Sequence, residues 1–157
     1  MQKIQPCLWF DSNAEEAVNF YLSIFKNSKI TNVSHYTDAG PGPKGKVMAM
    51  SFQLDGQDFM AINGGPMYTF TPAISLLVNC ESQAEIDELW EKLLAGGQSQ
   101  GCGWVTDRFG VTWQVVPSLL GEMMSGKDAA KSARVMRAML PMQKLDIATL
   151  KRAYEQE

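Results

Sequence analysis

Histidine is nearly absent from this 157-residue chain, and His35 stands alone. A centre built on two or more imidazoles of one chain is therefore excluded. Cysteine is scarce as well. Cys7, Cys80 and Cys102 are odd in number and show no Cys-x-x-Cys spacing, so neither a disulfide framework nor a thiolate zinc site is indicated, and a reducing cytoplasm is the expected compartment. No apolar run approaches the roughly 18 residues that span a bilayer. The opening stretch 1–6 runs into a strand-like segment without a signal-peptide apolar region, so a membrane is not an expected partner. There is no basic excess either: a formal charge of −3 argues against nucleic acid on bulk electrostatics.

What the chain does have is enough apolar content, 45%, to fill one compact domain or two small halves. Disorder is expected only near Gly40-Pro41-Gly42-Pro43-Lys44-Gly45. The charge is uneven. Residues 1–117 carry 7 basic and 12 acidic side chains, whereas 118–157 carry 7 and 5 together with five of the ten methionines. This predicts a core, 1–117, and an extension of different character, 118–157.

Hydrophobic periodicity gives the core a repeated order. Lys3–Phe10 reads as a strand. Ser12 and Glu15 have capping-box spacing, and Ala17, Phe20, Tyr21, Ile24 and Phe25 form one apolar helical face. Strands follow at Ile30–Tyr36, Lys46–Leu54 and Asp58–Ile62, with Asp55-Gly56 as a hairpin turn. The order then recurs. Ala73–Cys80 is a strand, Ser82 and Glu85 repeat the capping box 70 positions on, and Ile86, Leu89, Trp90, Leu93 and Leu94 repeat the apolar face 69 positions on. Gly96-Gly97 ends that helix, and strands are expected near Gln98–Gln100, Trp104–Asp107 and Val111–Val116. The reading is α+β: two βαβββ modules, about 1–66 and 73–117, each a sheet backed by one helix. The extension is helical, with Asp128 and Asp146 as caps. Its Met-rich apolar face is expected on the core or, somewhat ahead of that, on a partner subunit.

Several segments carry a family resemblance. Cys7-Leu8-Trp9-Phe10-Asp11 with the helix around Phe20-Tyr21, then Ala61-Ile62-Asn63-Gly64-Gly65-Pro66, then 103–117 (Gly-Trp-Val-Thr-Asp-Arg-Phe-Gly-Val-Thr-Trp-Gln-Val-Val-Pro), resemble the PhnB-like branch of the vicinal oxygen chelate (glyoxalase/bleomycin-resistance) superfamily. The tail around Arg134–Leu140 and Asp146-Ile147 resembles it too. Members of that branch often bear the name 3-demethylubiquinone-9 3-methyltransferase-like. The resemblance implies paired modules in one cupped mixed sheet, commonly as a homodimer, and a divalent metal held by one side chain on the first and one on the last strand of each module. Those positions fall on Gln5, Asn63, Ala73 and Gln114. None is a histidine or carboxylate, and neutral amides hold hard cations weakly, so no metal and no cofactor is expected.

Strand alternation, anchored on those positions, places Gln5, Cys7 and Trp9 in the cup. It adds Val47, Ala49, Ser51 and Gln53, then Phe59, Ala61 and Asn63, then Ser75, Leu77 and Asn79, and finally Thr112, Gln114 and Val116. Arg108 is placed at the rim. The expected lining of Gln5, Cys7, Trp9, Ser51, Asn63, Ser75, Thr112 and Gln114 suits a small, largely neutral molecule. The amides could equally bond one another to fill vacated space. Other groups have plainer readings: His35 as an exposed strand-end side chain, Cys7 as a buried structural thiol, Asp107-Arg108 as a self-satisfied ion pair. The loops at Gly40–Lys46 and Gly64-Gly65-Pro66 lack nucleotide-binding patterns, so the methyltransferase name is read as a name. Two classes of function follow: a metal-free, dimeric small-molecule binder, or an enzyme of glyoxalase, dioxygenase or methyltransferase type acting on a small molecule. Whether any reaction is catalysed is left open by the residues.

Overall fold

The computed structural model describes residues 2–156 and resolves into two compact units, 1–70 and 71–157.

In the first unit the order is β1 (Cys7–Phe10), α1 (Ala14–Ile24), β2 (Lys29–His35), β3 (Val47–Leu54) and β4 (Gln57–Asn63). The strands form one sheet in the order β1-β4-β3-β2, parallel only between β1 and β4. Leu8 and Phe10 of β1, Met50, Phe52 and Leu54 of β3, and Phe59 and Ala61 of β4 are buried with Ala17, Val18, Tyr21 and Ile24 of α1. The β3–β4 hairpin turns on Asp55 and Gly56, both at positive φ (47° and 78°), as a two-residue turn matching strand twist requires. The Gly/Pro loop is held by backbone bonds from Gly45 to Tyr36 and from Lys46 to Pro43. A Cβ on Gly42 would meet the Tyr36 ring at 2.3 Å, so the loop where disorder is expected is folded against that ring.

The second unit repeats the plan. It has β5 (Leu76–Cys80), α2 (Gln83–Leu94), β6 (Gln98–Gly101), β7 (Trp104–Thr106) and β8 (Thr112–Pro117). The order is β5-β8-β7-β6, again with its parallel pair between first and last strands. Ile86, Leu89, Trp90 and Leu93 of α2 are buried, as are Val105, Val111, Trp113 and Val115. The two capping boxes, however, have different fates. Ser82 Oγ accepts from Glu85 N at 3.2 Å, and Glu85 reaches back to the Glu81 N–H at 2.8 Å. Ser12 caps nothing: α1 begins after Asn13, with no side-chain cap from that residue.

The tail forms α3 (Leu120–Ser125), α4 (Ala129–Met139) and α5 (Ile147–Glu155). Asp128 caps α4 through Ala130 and Lys131, and Asp146 caps α5 through Thr149. Met123, Val135, Leu145 and Leu150 are buried in one cluster with Val116 of β8. Val116, assigned to the cup by alternation, is therefore covered within the second unit by tail residues. The tail has an intramolecular apolar partner.

Candidate functional site

In each sheet one face lies against the helix and the other turns away from it. On the first sheet, Cys7 pairs with Met60, Trp9 with Ile62, and Ser51 with Met60. These side chains share the face away from α1. Trp9 is fixed there: its indole N–H donates to Gly65 O at 2.9 Å, and Tyr68 meets its ring edge-on at 5.0 Å. A Cβ on Gly64 would stand 2.4 Å from that ring, so only glycine permits the approach. Gln5 is half-buried two residues before β1. Cys7 is exposed and not the buried structural thiol expected. Partial desolvation around its sulfur nevertheless raises its pKa, which favours the thiol over the nucleophilic thiolate.

Asn63 corrects the parity assumed for β4. Phe10 pairs with Asn63, and Leu8 with Ala61. Leu8, Phe10, Phe59 and Ala61 are all buried on the α1 side, so Phe59, Ala61 and Asn63 lie on the helix face. Met60 and Ile62 take the places assigned to them. The Asn63 amide is fully engaged there. Its Oδ1 accepts from Ala14 N at 2.8 Å, and its Nδ2 donates to Glu15 Oε1 at 2.8 Å and to Val47 O at 3.1 Å. It supplies from another strand the cap that Ser12 does not provide.

On the second sheet, Leu77 pairs with Gln114, Asn79 with Val116, Trp104 with Gln114, and Thr106 with Thr112. Gln114 Nε2 donates to Ser75 Oγ at 2.9 Å, which joins two of the predicted residues. Thr112 is buried, with its hydroxyl 3.4 Å from that of Thr106, and Thr106 accepts from Gln100 at 3.1 Å. Leu77, half exposed at 51%, lies beside Gln114. Trp104 and Thr106 are absent from the predicted lining because β7 is only three residues long, too short to show alternation.

Arg108 does not join this group. It is exposed, its side chain packs at Gly96 after α2, and its guanidinium stands 5.1 Å over the Phe109 ring. Asp107 is buried, and its carboxylate is bonded to groups of its own turn and strand. It accepts from Phe109 N at 2.8 Å, Val111 N at 3.1 Å and Trp113 Nε1 at 2.9 Å. The signal for this is local: Asp opening a tight turn before Gly110 is where a carboxylate takes the backbone N–H two residues on.

A further cavity of about 520 Å³ lies in the first unit where β1 and β4 end, lined by Asp11, Ser12, Glu15, Tyr36, Lys46 and Asn63 among others. The sequence reading missed it because the glycine- and proline-rich loop that closes it has no periodicity. His35 is exposed on β2. Cys80 is buried, and desolvation, with Glu85 and Glu81 adding to it, pushes its thiol up to about 12.

The metal positions implied by family resemblance do not fit a hard divalent cation. Ala73 offers no donor side chain, Asn63 faces α1 with its amide satisfied, and Gln114 is an amide already donating to Ser75. Among the described residues no three His, Cys, Asp or Glu side chains gather as a metal site, and no chemical step is derived through one. Likewise no helix among the described residues is long and apolar enough to cross a membrane.

Comparison with known proteins places this architecture. A Bacillus cereus PhnB protein, described as a putative 3-demethylubiquinone-9 3-methyltransferase, is 42% identical with a TM-score of 0.68, covering 74% of this chain and 99% of that one. Protein PA1353 of Pseudomonas aeruginosa is 27% identical with a TM-score of 0.61, covering 73% and 96%. The fosfomycin resistance protein FosX of Listeria monocytogenes, solved with Mn(II) and sulfate, shares the fold at 16% identity and a TM-score of 0.55, covering 79% and 97%. No curated protein matches the chain. The family described as 3-demethylubiquinone-9 3-methyltransferase matches residues 2–116 and so stops short of the tail. With two mixed four-stranded sheets of one topology, a 42%-identical PhnB relative and a match over most of its length, the chain belongs to this PhnB-like family of the vicinal oxygen chelate fold.

Proposed function

We propose that the protein is a metal-independent binder of a small, largely uncharged molecule, and that the face of the second sheet turned away from α2 takes part in holding it. One observation carries the reading. Every side chain that strand pairing puts on that face is uncharged: Leu77, Asn79, Gln98, Trp104, Thr106, Thr112, Gln114 and Val116, the last of them covered by the tail. A charged ligand would find no counter-ion there, whereas a neutral one finds apolar area and amide and hydroxyl partners. Ser75 fixes the Gln114 amide through its N–H, which leaves the carbonyl oxygen to accept from a ligand. Cys7, Trp9 and Ser51 offer a similar surface on the first sheet, with Gln5 at its edge.

The test is a melting-shift screen of neutral and charged metabolites at equal ionic strength. A specific ligand at 100 times its dissociation constant adds about 2.7 kcal/mol of stability. Neutral hits abolished by Gln114→Leu, in protein whose unliganded melting is unchanged, support the reading. Hits confined to charged compounds, or neutral hits indifferent to Gln114→Leu, overturn it. The three cysteines without disulfides support a cytoplasmic location. Met136 and Leu140, exposed on the tail at 36% and 61%, support a homodimer, which light scattering checks directly.

A further inference from the structure

The basic character of the tail is concentrated in one place. Arg134, Arg137 and Ala138 from α4, and Thr149, Arg152 and Ala153 from α5 with Gln156 after it, line a cleft of about 360 Å³ that has no Asp or Glu among the described residues of its lining. Two of the three guanidinium groups are held in position. Arg134 donates from Nε to Ala153 O at 2.9 Å and from Nη2 to Tyr154 O at 3.2 Å, and Arg152 donates from Nη2 to Thr149 Oγ1 at 3.1 Å. The small Ala138 and Ala153 leave the space between them open.

The plain account is that these arginines balance helix ends, since Arg137 and Arg152 lie in last turns and Arg134 bonds the final carbonyls of α5. The magnitudes do not close on that account. Two helix C-termini supply roughly half a negative charge each, and the Asp146 carboxylate acts on Arg152, so among the described residues about one positive charge in the cleft stays unbalanced. Positioned guanidinium forks with N–H groups to spare are the arrangement that takes a phosphoryl or similar oxyanion bidentately.

We propose that the α4–α5 cleft is a binding site for the phosphoryl group of a small molecule, with Arg134 and Arg152 as positioned donors and Arg137 closing on the anion. Arg134 holds α5 as well as facing the cleft, so Arg137 and Arg152 are the informative substitutions. The site is separate from the uncharged sheet face and does not depend on what that face binds.

The experiment is calorimetric titration of the full chain with inorganic phosphate, pyrophosphate and glycerol 3-phosphate, each at ionic strength matched with chloride. The expected result is saturable, one-to-one binding of at least one of them. Arg137→Gln and Arg152→Gln should each weaken it about tenfold, as loss of one charge-assisted hydrogen bond does, while helical circular dichroism and melting temperature stay at the parent values. The order of the three affinities separates a free-phosphate site from one that reads a phosphate ester. Absence of saturation, equal affinity in the glutamine variants, or an effect reproduced by chloride overturns the proposal. So does binding confined to a 20-mer oligonucleotide, which would mark a polyanion surface. If a glutamine variant melts lower than the parent, Arg137→Lys is substituted: charge is kept and the fork is lost, so tenfold weakening still supports the site and undiminished binding refutes bidentate recognition.

Discussion

Replacing Asn63 with alanine tests the most consequential correction that the structure makes. Three hydrogen bonds disappear together, to Ala14 N, Glu15 Oε1 and Val47 O. Loss of a helix cap costs about 1 kcal/mol. Leaving the half-buried Val47 carbonyl and the Glu15 carboxylate without their donor adds about 1–2 kcal/mol. The expected loss is therefore about 2–3 kcal/mol, measured by urea unfolding at pH 7 with an unchanged denaturant slope. Two companions sharpen the result. Ser12→Ala removes the residue that capping-box spacing nominates, yet it should cost less than about 0.5 kcal/mol, because α1 draws no bond from it. Ser82→Ala, at the equivalent place in the second unit, removes a cap that is made and should cost about 1 kcal/mol. Asn63→Asp keeps the acceptor but sets a second carboxylate against Glu15. It should be destabilised at pH 7 by the repulsion of two like charges. An Asn63→Ala protein as stable as the parent, or a Ser12→Ala protein equally damaged, would refute the assignment of the α1 cap to β4.

Three further outcomes follow from buried or crowded groups. Cys80 keeps its proton to about 12 in the folded chain, against an ordinary value of 9.0; the unfolded chain therefore loses that proton first and stability falls as pH rises above 9. The slope reaches at most about 1.4 kcal/mol per pH unit, and Cys80→Ala should flatten it in parallel urea titrations from pH 8 to 10. Asp107→Asn weakens acceptance from two backbone N–H groups and the Trp113 indole. It should cost about 2–3 kcal/mol and alter the near-ultraviolet circular dichroism of that tryptophan. A Cβ at Gly97 would stand 2.2 Å from Thr106 O, a backbone atom, so Gly97→Ala should cost at least about 2 kcal/mol in thermal unfolding.

How far the sequence could be read depended on contrast between alternate positions. In β3 one row is Met48, Met50, Phe52 and Leu54 and the other is Val47, Ala49, Ser51 and Gln53. The difference tells the two faces apart, and the structure buries Met50, Phe52 and Leu54 of the side predicted, while Met48 at the strand's start is exposed. In β4 both rows are apolar, Phe59 and Ala61 against Met60 and Ile62, so composition cannot choose between them. Assigning Asn63 as a ligand position tipped the choice the wrong way, and only register with β1 resolves it. The repeated helices, at 69-residue spacing, were legible because each presents one apolar stripe. The cap of α1 was not legible, since its donor and acceptor are 49 positions apart. The covering of Val116 by the tail was hidden for a similar reason: alternation describes a strand and its sheet, not what later folds over the strand's end.

The two unlike caps have a kinetic consequence. Ser82 and Glu85 complete the start of α2 within four residues, so that turn can close on the timescale of local helix formation. The start of α1 waits on a partner far along the chain, and the loop-closure entropy must be met before that bond can form. Two units with one strand order should thus assemble in different sequences. In the second the helix can organise the sheet, whereas in the first the sheet must be nearly in place before the helix is finished. In rapid-mixing experiments, Ser82→Ala should slow folding, while Asn63→Ala should act mainly by speeding unfolding.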